Sequence, residues 1–137
     1  MKVDIAVKGI LFNKEHNRIL LVQRGKKDSV GANDWESAGG GIEWGEHPEE
    51  AMKREIKEET GITDVSIDRV AYVSIVYGEP SFMIVAYICE TSEETVVLSS
   101  EHQAYVWADK EECRKLLSQV ILDDFEKNGI FDLFEAV

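Results

Sequence analysis

The sequence predicts an α/β fold, a mixed sheet with helices packed on its faces. Three observations lead there. Segments rich in Val, Ile, Tyr and Phe outnumber helical ones, and the helical stretches fall mid-chain and at the end. Strands and helices also do not alternate in the strict βαβ manner of a parallel sheet. The 137 residues show no internal repeat, low-complexity tract or linker, so one domain, 1–137, is expected. A chain of this length buries a core without disulfide or metal staples.

The elements follow in order. Val3, Ile5 and Val7 alternate with Asp4, Ala6 and Lys8, the period of a half-buried strand, and the pattern breaks at Gly9. Residues 13–18 (NKEHNR) read as a polar turn, and Ile19-Leu20-Leu21-Val22 as a short, buried central strand. Residues 25–34 read as a loop. A helix is expected from Pro48 to Thr60: proline suits its first position, Glu49 and Glu50 suit the positive end of its dipole, and Gly61 stops it. Residues 65–77 and 82–90 read as strands around a turn at Gly78-Glu79-Pro80-Ser81. Two short strands are expected at Val96–Leu98 and Ala104–Trp107, around a loop at 99–103. Asp109 with Glu112 resembles a capping box opening a helix through about Gln119, and a last helical stretch breaks near Gly129.

Charge narrows the functional classes. The formal net charge is −12, which repels nucleic-acid backbones and anionic membranes, so neither a nucleic-acid polymer nor a membrane is an expected partner. A small anionic substrate is repelled as well unless metal ions accompany it. No apolar run approaches the ~20 residues that span a bilayer. Cys89 and Cys113 lack CxxC spacing and read as buried thiols, so a cytoplasmic setting is expected. A homodimer is compatible with the sequence but is not read from it.

Glu55, Glu58 and Glu59, spaced i, i+3, i+4, share one face of the expected helix. Like charges at i, i+4 destabilise a helix by a few tenths of a kcal/mol, roughly, unless something positive stands between them. Mg²⁺ takes such carboxylates together with substrate phosphates. A solvated helix face accounts for the other charges equally well, through Glu49 with Lys53, Glu50 with Arg54, and Arg54 with Glu58. The preceding Gly39-Gly40-Gly41 separates the two accounts, because its backbone can approach a ligand closely. Gly40, Glu46, Arg54, Glu55, Ile56, Glu58, Glu59, Gly61 and Ile62 fit the spacing G-x5-E-x7-R-E-U-x-E-E-x-G-U, with U bulky and apolar, across residues 40–62.

That spacing is the Nudix box, and the chain resembles the Nudix hydrolase family of MutT-like proteins. The resemblance implies a Nudix-type α/β/α sandwich around a mixed parallel and antiparallel sheet. It also implies hydrolysis of a diphosphate linkage, in a nucleoside diphosphate derivative or a (deoxy)nucleoside triphosphate, by metal-activated water with Mg²⁺ or Mn²⁺. By similarity, Glu55, Glu58 and Glu59 are expected metal ligands, with the carbonyl of Gly39 and with Glu101, from an acidic loop ahead of Trp107, as further candidates. Arg54 is expected to orient the carboxylates, with Gly40 and Glu46 supporting them from behind. Glu55, Glu59 and Glu101 all stay open as the general base. His102 reads as a loop residue rather than a ligand.

Arg24 as a phosphate contact, and Trp35 and Trp44 as base-stacking groups, are the substrate-binding candidates; each also reads as an ordinary surface or packing residue. The common family lead-in, Trp-x-Leu-Pro-Gly-Gly, is here Trp35-Glu36-Ser37-Ala38-Gly39-Gly40, a departure that bears on substrate identity. The competing class is a non-catalytic Nudix-fold module binding a nucleotide or a protein. Such modules commonly lose box carboxylates, and this chain keeps them.

Overall fold

The computed structural model describes residues 2–135. Its strands are β1 (Val3–Phe12), β2 (Ile19–Arg24), β3 (Trp35–Glu36), β4 (Gly39–Gly41), β5 (Ser66–Val76), β6 (Ser81–Glu90) and β7 (His102–Ala108). The helices are α1 (Pro48–Thr60), α2 (Lys110–Leu116) and α3 (Gln119–Lys127), followed by a 3₁₀ turn at Ile130–Leu133. β1 pairs in parallel with β6 along its whole length, and β5 adds antiparallel to β6. On its other edge β1 pairs antiparallel with β4 and, through Phe12 and Ile19, with β2, which carries β3 and β7.

Strand alternation divides the core into two layers, as a sandwich requires. Val7 and Leu11 of β1, Leu20 and Val22 of β2, and Tyr87 and Cys89 of β6 pack with Ala51, Met52, Ile56 and Ile62 of and beyond α1. Their neighbours Ile10, Phe12, Ile19, Leu21, Ala86 and Ile88 pack with Cys113, Leu117, Phe125, Phe131 and Phe134 from the C-terminal helices. Met52 and Ile56 are fully buried, each worth roughly 1.5–3 kcal/mol of transfer free energy.

The helix Pro48–Thr60 forms over the expected residues, with Gly61 left-handed at φ 77° as its C-cap; His47 at the N-cap makes no side-chain hydrogen bond. Asp109 and Glu112 form a full capping box. Three expectations are corrected. β1 does not end at Gly9: it runs on to Phe12, and the glycine is there because a Cβ would stand 2.7 Å from Ile56 Cδ1 and 3.0 Å from Met52 Sδ. A side chain at that point would force the buried Ile56 and Met52 side chains to shift.

Residues 96–98 are not a strand. The amides of Val97 and Ser99 donate to the carbonyls of Thr60 and Glu59 at 2.9 and 3.1 Å, satisfying acceptors that a helix end leaves open. The helix from Asp109 does not reach Gln119. It stops at Leu116, Leu117 turns extended and bridges to Trp35, and a separate helix starts at Gln119.

Candidate active site

α1 carries the acids to one side of a cleft of about 1510 Å³. Gly39, Gly40, Gly41, Glu55, Glu59 and Glu101 line it, together with Lys8, Arg24, Glu36, Trp44 and His102. The cleft therefore collects residues from β1, β2, β3, β4, β6, β7, α1 and the loops between them.

Arg54 organises the helix side. Its Nε and Nη2 donate to Glu46 Oε2 and Oε1 at 2.7 and 2.9 Å, a two-point grip. Its Nη2 also donates to the Gly41 carbonyl at 3.1 Å, and its Nη1 to Glu55 Oε1 at 2.9 Å and Glu58 Oε2 at 3.3 Å. The hydrogen bonds from Arg54 hold the Glu46 carboxyl down at about 2. Of the three i, i+4 pairs expected on this helix, Arg54 with Glu58 forms. The guanidinium otherwise faces the loop and Glu55.

Gly40 explains how Glu55 is seated. A Cβ there would lie 2.6 Å from the Glu55 carboxyl carbon, so only a glycine lets the carboxylate rest against the loop. Gly39 passes as closely over β1, where a Cβ would meet the Val7 carbonyl oxygen at 1.9 Å. The Ser37-Ala38 departure is buried: Ala38 joins the α1 core, and its carbonyl accepts from the Gly9 amide at 3.0 Å.

Glu59 sits differently from its helical neighbours. It is buried, and its Oε2 has no hydrogen-bond partner. Burial pushes its carboxyl up to about 7, against the opposing charges of Lys8 and His102. His102 is a correction to the sequence reading. It opens β7 instead of lying in the loop, is buried, and faces Glu36 Oε2 through Nε2 at 3.0 Å. A bulge between Gln23 and Arg24 sets His102 opposite Arg24 in the β2–β7 register.

Burial raises the Glu36 carboxyl, but the hydrogen bond with His102 and the charges of Lys8 and Arg24 outweigh it and hold the group at about 2. Burial also works against charge on His102, and Glu36 and Glu59 overcome it, raising the imidazole above its usual value. Sequence reasoning missed both Glu36 and His102. Their one local signal is polar residues at strand ends, and the contact between them spans 66 positions.

The other expected site residues divide. Glu101 is exposed and lines the cleft. Glu58 is exposed and stands outside the cleft-lining set. Trp44 is fully exposed at the cleft edge, whereas Trp35 is half-buried against the core under the C-terminal helices and does not line the cleft. Arg24 lines the cleft, but its guanidinium is occupied by the Val30 carbonyl at 3.0 Å, Asp28 at 3.4 Å and Glu36 at 3.4 Å, which holds the 25–34 loop in place.

The donor set on this side is oxygen throughout, which suits a hard divalent cation. An unpartnered buried carboxylate oxygen at Glu59 is likewise the kind of group a cation relieves. Among the described residues no three acidic, His or Cys side chains converge on one point; Glu55 and Glu58 lean to Arg54, and Glu59 to His102.

A mixed sheet between helices, with a glycine loop laid against an acid-bearing helix, defines an α/β protein of the Nudix type. The NUDIX domain profile matches residues 2–126, and the chain belongs to the NUDIX family. It is 50% identical over 62 residues to the 8-oxo-dGTP diphosphatase of Escherichia coli (strain K12), covering 45% of this chain and 46% of that protein. This match spans about half the length of that relative. It is 29% identical over 104 residues to the nucleoside triphosphatase NudI of Salmonella newport, covering 68% of this chain and 74% of the relative.

Among solved structures, the MutT protein from Methanosarcina mazei Go1 superposes with a TM-score of 0.79 at 25% identity, covering 95% of each chain. A C. elegans Ap4A hydrolase shares the fold with a TM-score of 0.79 at 23% identity, covering 94% of this chain and 97% of its own.

Proposed function

We propose that this chain is a divalent-cation-dependent pyrophosphohydrolase that cleaves a diphosphate linkage in a nucleoside triphosphate, ribo or deoxy, or in a nucleoside diphosphate derivative. The observation that carries this reading is the buried carboxylate of Glu59, with its unpartnered oxygen, beside Glu55 in a cleft that Glu101 and the Gly39–Gly41 loop also line. Glu55, Glu58 and Glu59 would hold Mg²⁺ or Mn²⁺, with the Gly39 carbonyl and Glu101 as further ligands. The bound cation supplies a lowered water pKa and neutralises charge as the phosphorus is attacked.

The chain's own residues do the rest. Arg54 orients Glu55 and Glu58 and ties the loop at Gly41 and Glu46 to the helix. Gly40 leaves Glu55 room to lie against the loop. One of Glu55, Glu59 and Glu101 would take the proton from the attacking water. Trp44, exposed at the rim, offers its ring to a base. Arg24 would offer a cation to a phosphate only in competition with Asp28 and Glu36.

The relatives named as a diphosphatase and a nucleoside triphosphatase support a small nucleotide as substrate. No helix among the described residues is long and apolar enough to cross a membrane. The buried free thiols of Cys89 and Cys113 suit a reducing compartment, and the cytoplasm is the proposed setting.

The test is a panel of nucleoside triphosphates and nucleoside diphosphate derivatives, with Mg²⁺ or Mn²⁺, on wild type, Glu55→Gln, Glu58→Gln and Glu59→Gln. Phosphate, pyrophosphate or a nucleoside monophosphate should appear with the wild type, and the glutamine variants should release far less while staying folded. Nucleotide binding without turnover would instead assign the chain to the non-catalytic modules of the family.

A further inference from the structure

The contacts behind Glu59 form a string across the cleft. Glu36 lies on β3, His102 opens β7 and Glu59 is near the end of α1, so three elements distant in sequence meet. Glu36 is engaged at both oxygens. Oε1 accepts from Lys8 Nζ at 3.1 Å, Oε2 pairs with His102 Nε2 at 3.0 Å, and Arg24 Nη1 lies 3.4 Å from each. An ionised carboxylate can only accept, so Nε2 carries the hydrogen and the plane of the ring is set. The other ring nitrogen, Nδ1, faces Glu59 Oε2 at 3.7 Å. These two atoms are enclosed, and neither has a hydrogen-bond partner. They are the two such side-chain atoms among the described residues, and they point at each other. A buried polar atom without a partner is uncommon enough to call for a reason.

We propose that Glu36 and His102 are positioning residues for Glu59: Glu36 locks the imidazole, and Nδ1, set against Oε2, fixes which way the Glu59 carboxylate faces a divalent cation. This rests on the reading of the cleft as a cation-dependent hydrolase site. Lys8 and Arg24 complete the string by keeping Glu36 charged and still. Neither Glu36 nor His102 is asked to touch substrate. They act as outer partners of a ligand do, by fixing which way it faces.

Substitutions at His102 separate this from a merely structural role. His102→Gln keeps a polar atom near Glu36 but has none where Nδ1 stands; His102→Asn keeps the Nδ1 position and loses Glu36. Mn²⁺ affinity of the full chain without nucleotide, read by electron paramagnetic resonance of free Mn²⁺, is the primary measurement. We expect His102→Gln to weaken Mn²⁺ by about tenfold or more, the usual cost of removing an outer partner. His102→Asn should restore much of it. In turnover, His102→Gln should need more cation while reaching a kcat near wild type once saturated.

Wild-type binding that is lost in Glu59→Gln but unchanged in a folded His102→Gln would overturn the positioning role alone. Failure of the wild type to bind Mn²⁺ would overturn the reading of the cleft, and this proposal with it. Should His102→Gln unfold, the wild type carries the test. In a Mg²⁺ titration the ring ¹⁵N signals of His102 should move along the binding curve while those of His16 and His47 stay still, and a motionless His102 would overturn the proposal.

Discussion

Arg54 grips both carboxylate oxygens of Glu46, at 2.7 and 2.9 Å, across eight positions of sequence. The same guanidinium reaches Glu55 and Glu58, so one side chain sets the loop before the helix and two of its acids. Arg54→Lys keeps the charge but loses the fork that makes several directed hydrogen bonds. The expected result is a fall in kcat/KM of about 10–100-fold with the fold retained, the range for loss of a partner that orients a ligand. Steady-state kinetics beside circular dichroism check it, and lysine at wild-type activity would contradict it.

Gly40 and Gly41 provide a paired test. A Cβ at Gly40 would fall 2.6 Å from the Glu55 carboxyl carbon, whereas one at Gly41 has nothing within 4 Å. Gly40→Ala should displace Glu55 and lower kcat/KM by about a hundredfold, the scale of an ångström of misplacement. Gly41→Ala should stay near wild type. Equal activities in the two variants would show that the seat of Glu55 does not matter to turnover.

Glu59 should make the folded chain less stable when it ionises. Its carboxyl is raised by burial from the ordinary 4.5 to about 7, so the folded state holds its proton where the unfolded state has released it. Stability from this group is complete below about pH 4.5 and is lost as pH rises through about 7. Glu59→Gln should therefore melt higher than wild type at pH 8, with the gap closing at pH 4.5. Thermal melts across that range measure it. Adding Mg²⁺ at pH 8 should raise the wild-type midpoint and leave the variant's unchanged.

Glu36 has the opposite sign. Its carboxyl is held at about 2 against an ordinary 4.5, so its contribution is present above pH 4.5 and is lost as pH falls toward 2. That contribution is about 3 kcal/mol for a group so nearly enclosed. Urea midpoints should fall through this window in the wild type and fall less in Glu36→Gln. Parallel acid profiles would show that Glu36 gains nothing from His102, Lys8 and Arg24.

The acid-bearing helix was legible because its signals are local: Pro48 starts it, Gly61 stops it, and the spacing of Glu55, Glu58 and Glu59 stands within two turns. The parts that were misread depend on contacts between distant segments. Gly9 looks like a strand end until the helix lying over it is known. Val96–Leu98 has the composition of a strand, but its amides go to a helix terminus. The pairing of Glu36 with His102 depends on the β2–β7 register and a bulge that no short window of sequence encodes. Trp35 and Trp44 both flank the glycine loop in the chain, and only strand pairing separates the one packed on the core from the one at the cleft.

The connection from β6 to β7 is strapped to the end of α1. Besides the amides of Val97 and Ser99, Glu93 accepts from the Thr63 and Asp64 amides, Asp64 accepts from Ser92, and the Trp107 indole donates to the Glu94 carbonyl. Residues 59–64 and 91–99 therefore travel as one unit, although some thirty positions separate them. A chimera that imported the Glu101 loop from a relative would need to import the helix end with it, and an insertion between 92 and 99 would shift Glu59 and Glu101 at once. The heritable module at this site is a pair of segments, and exchanging one without the other would break the cleft before it changed its specificity.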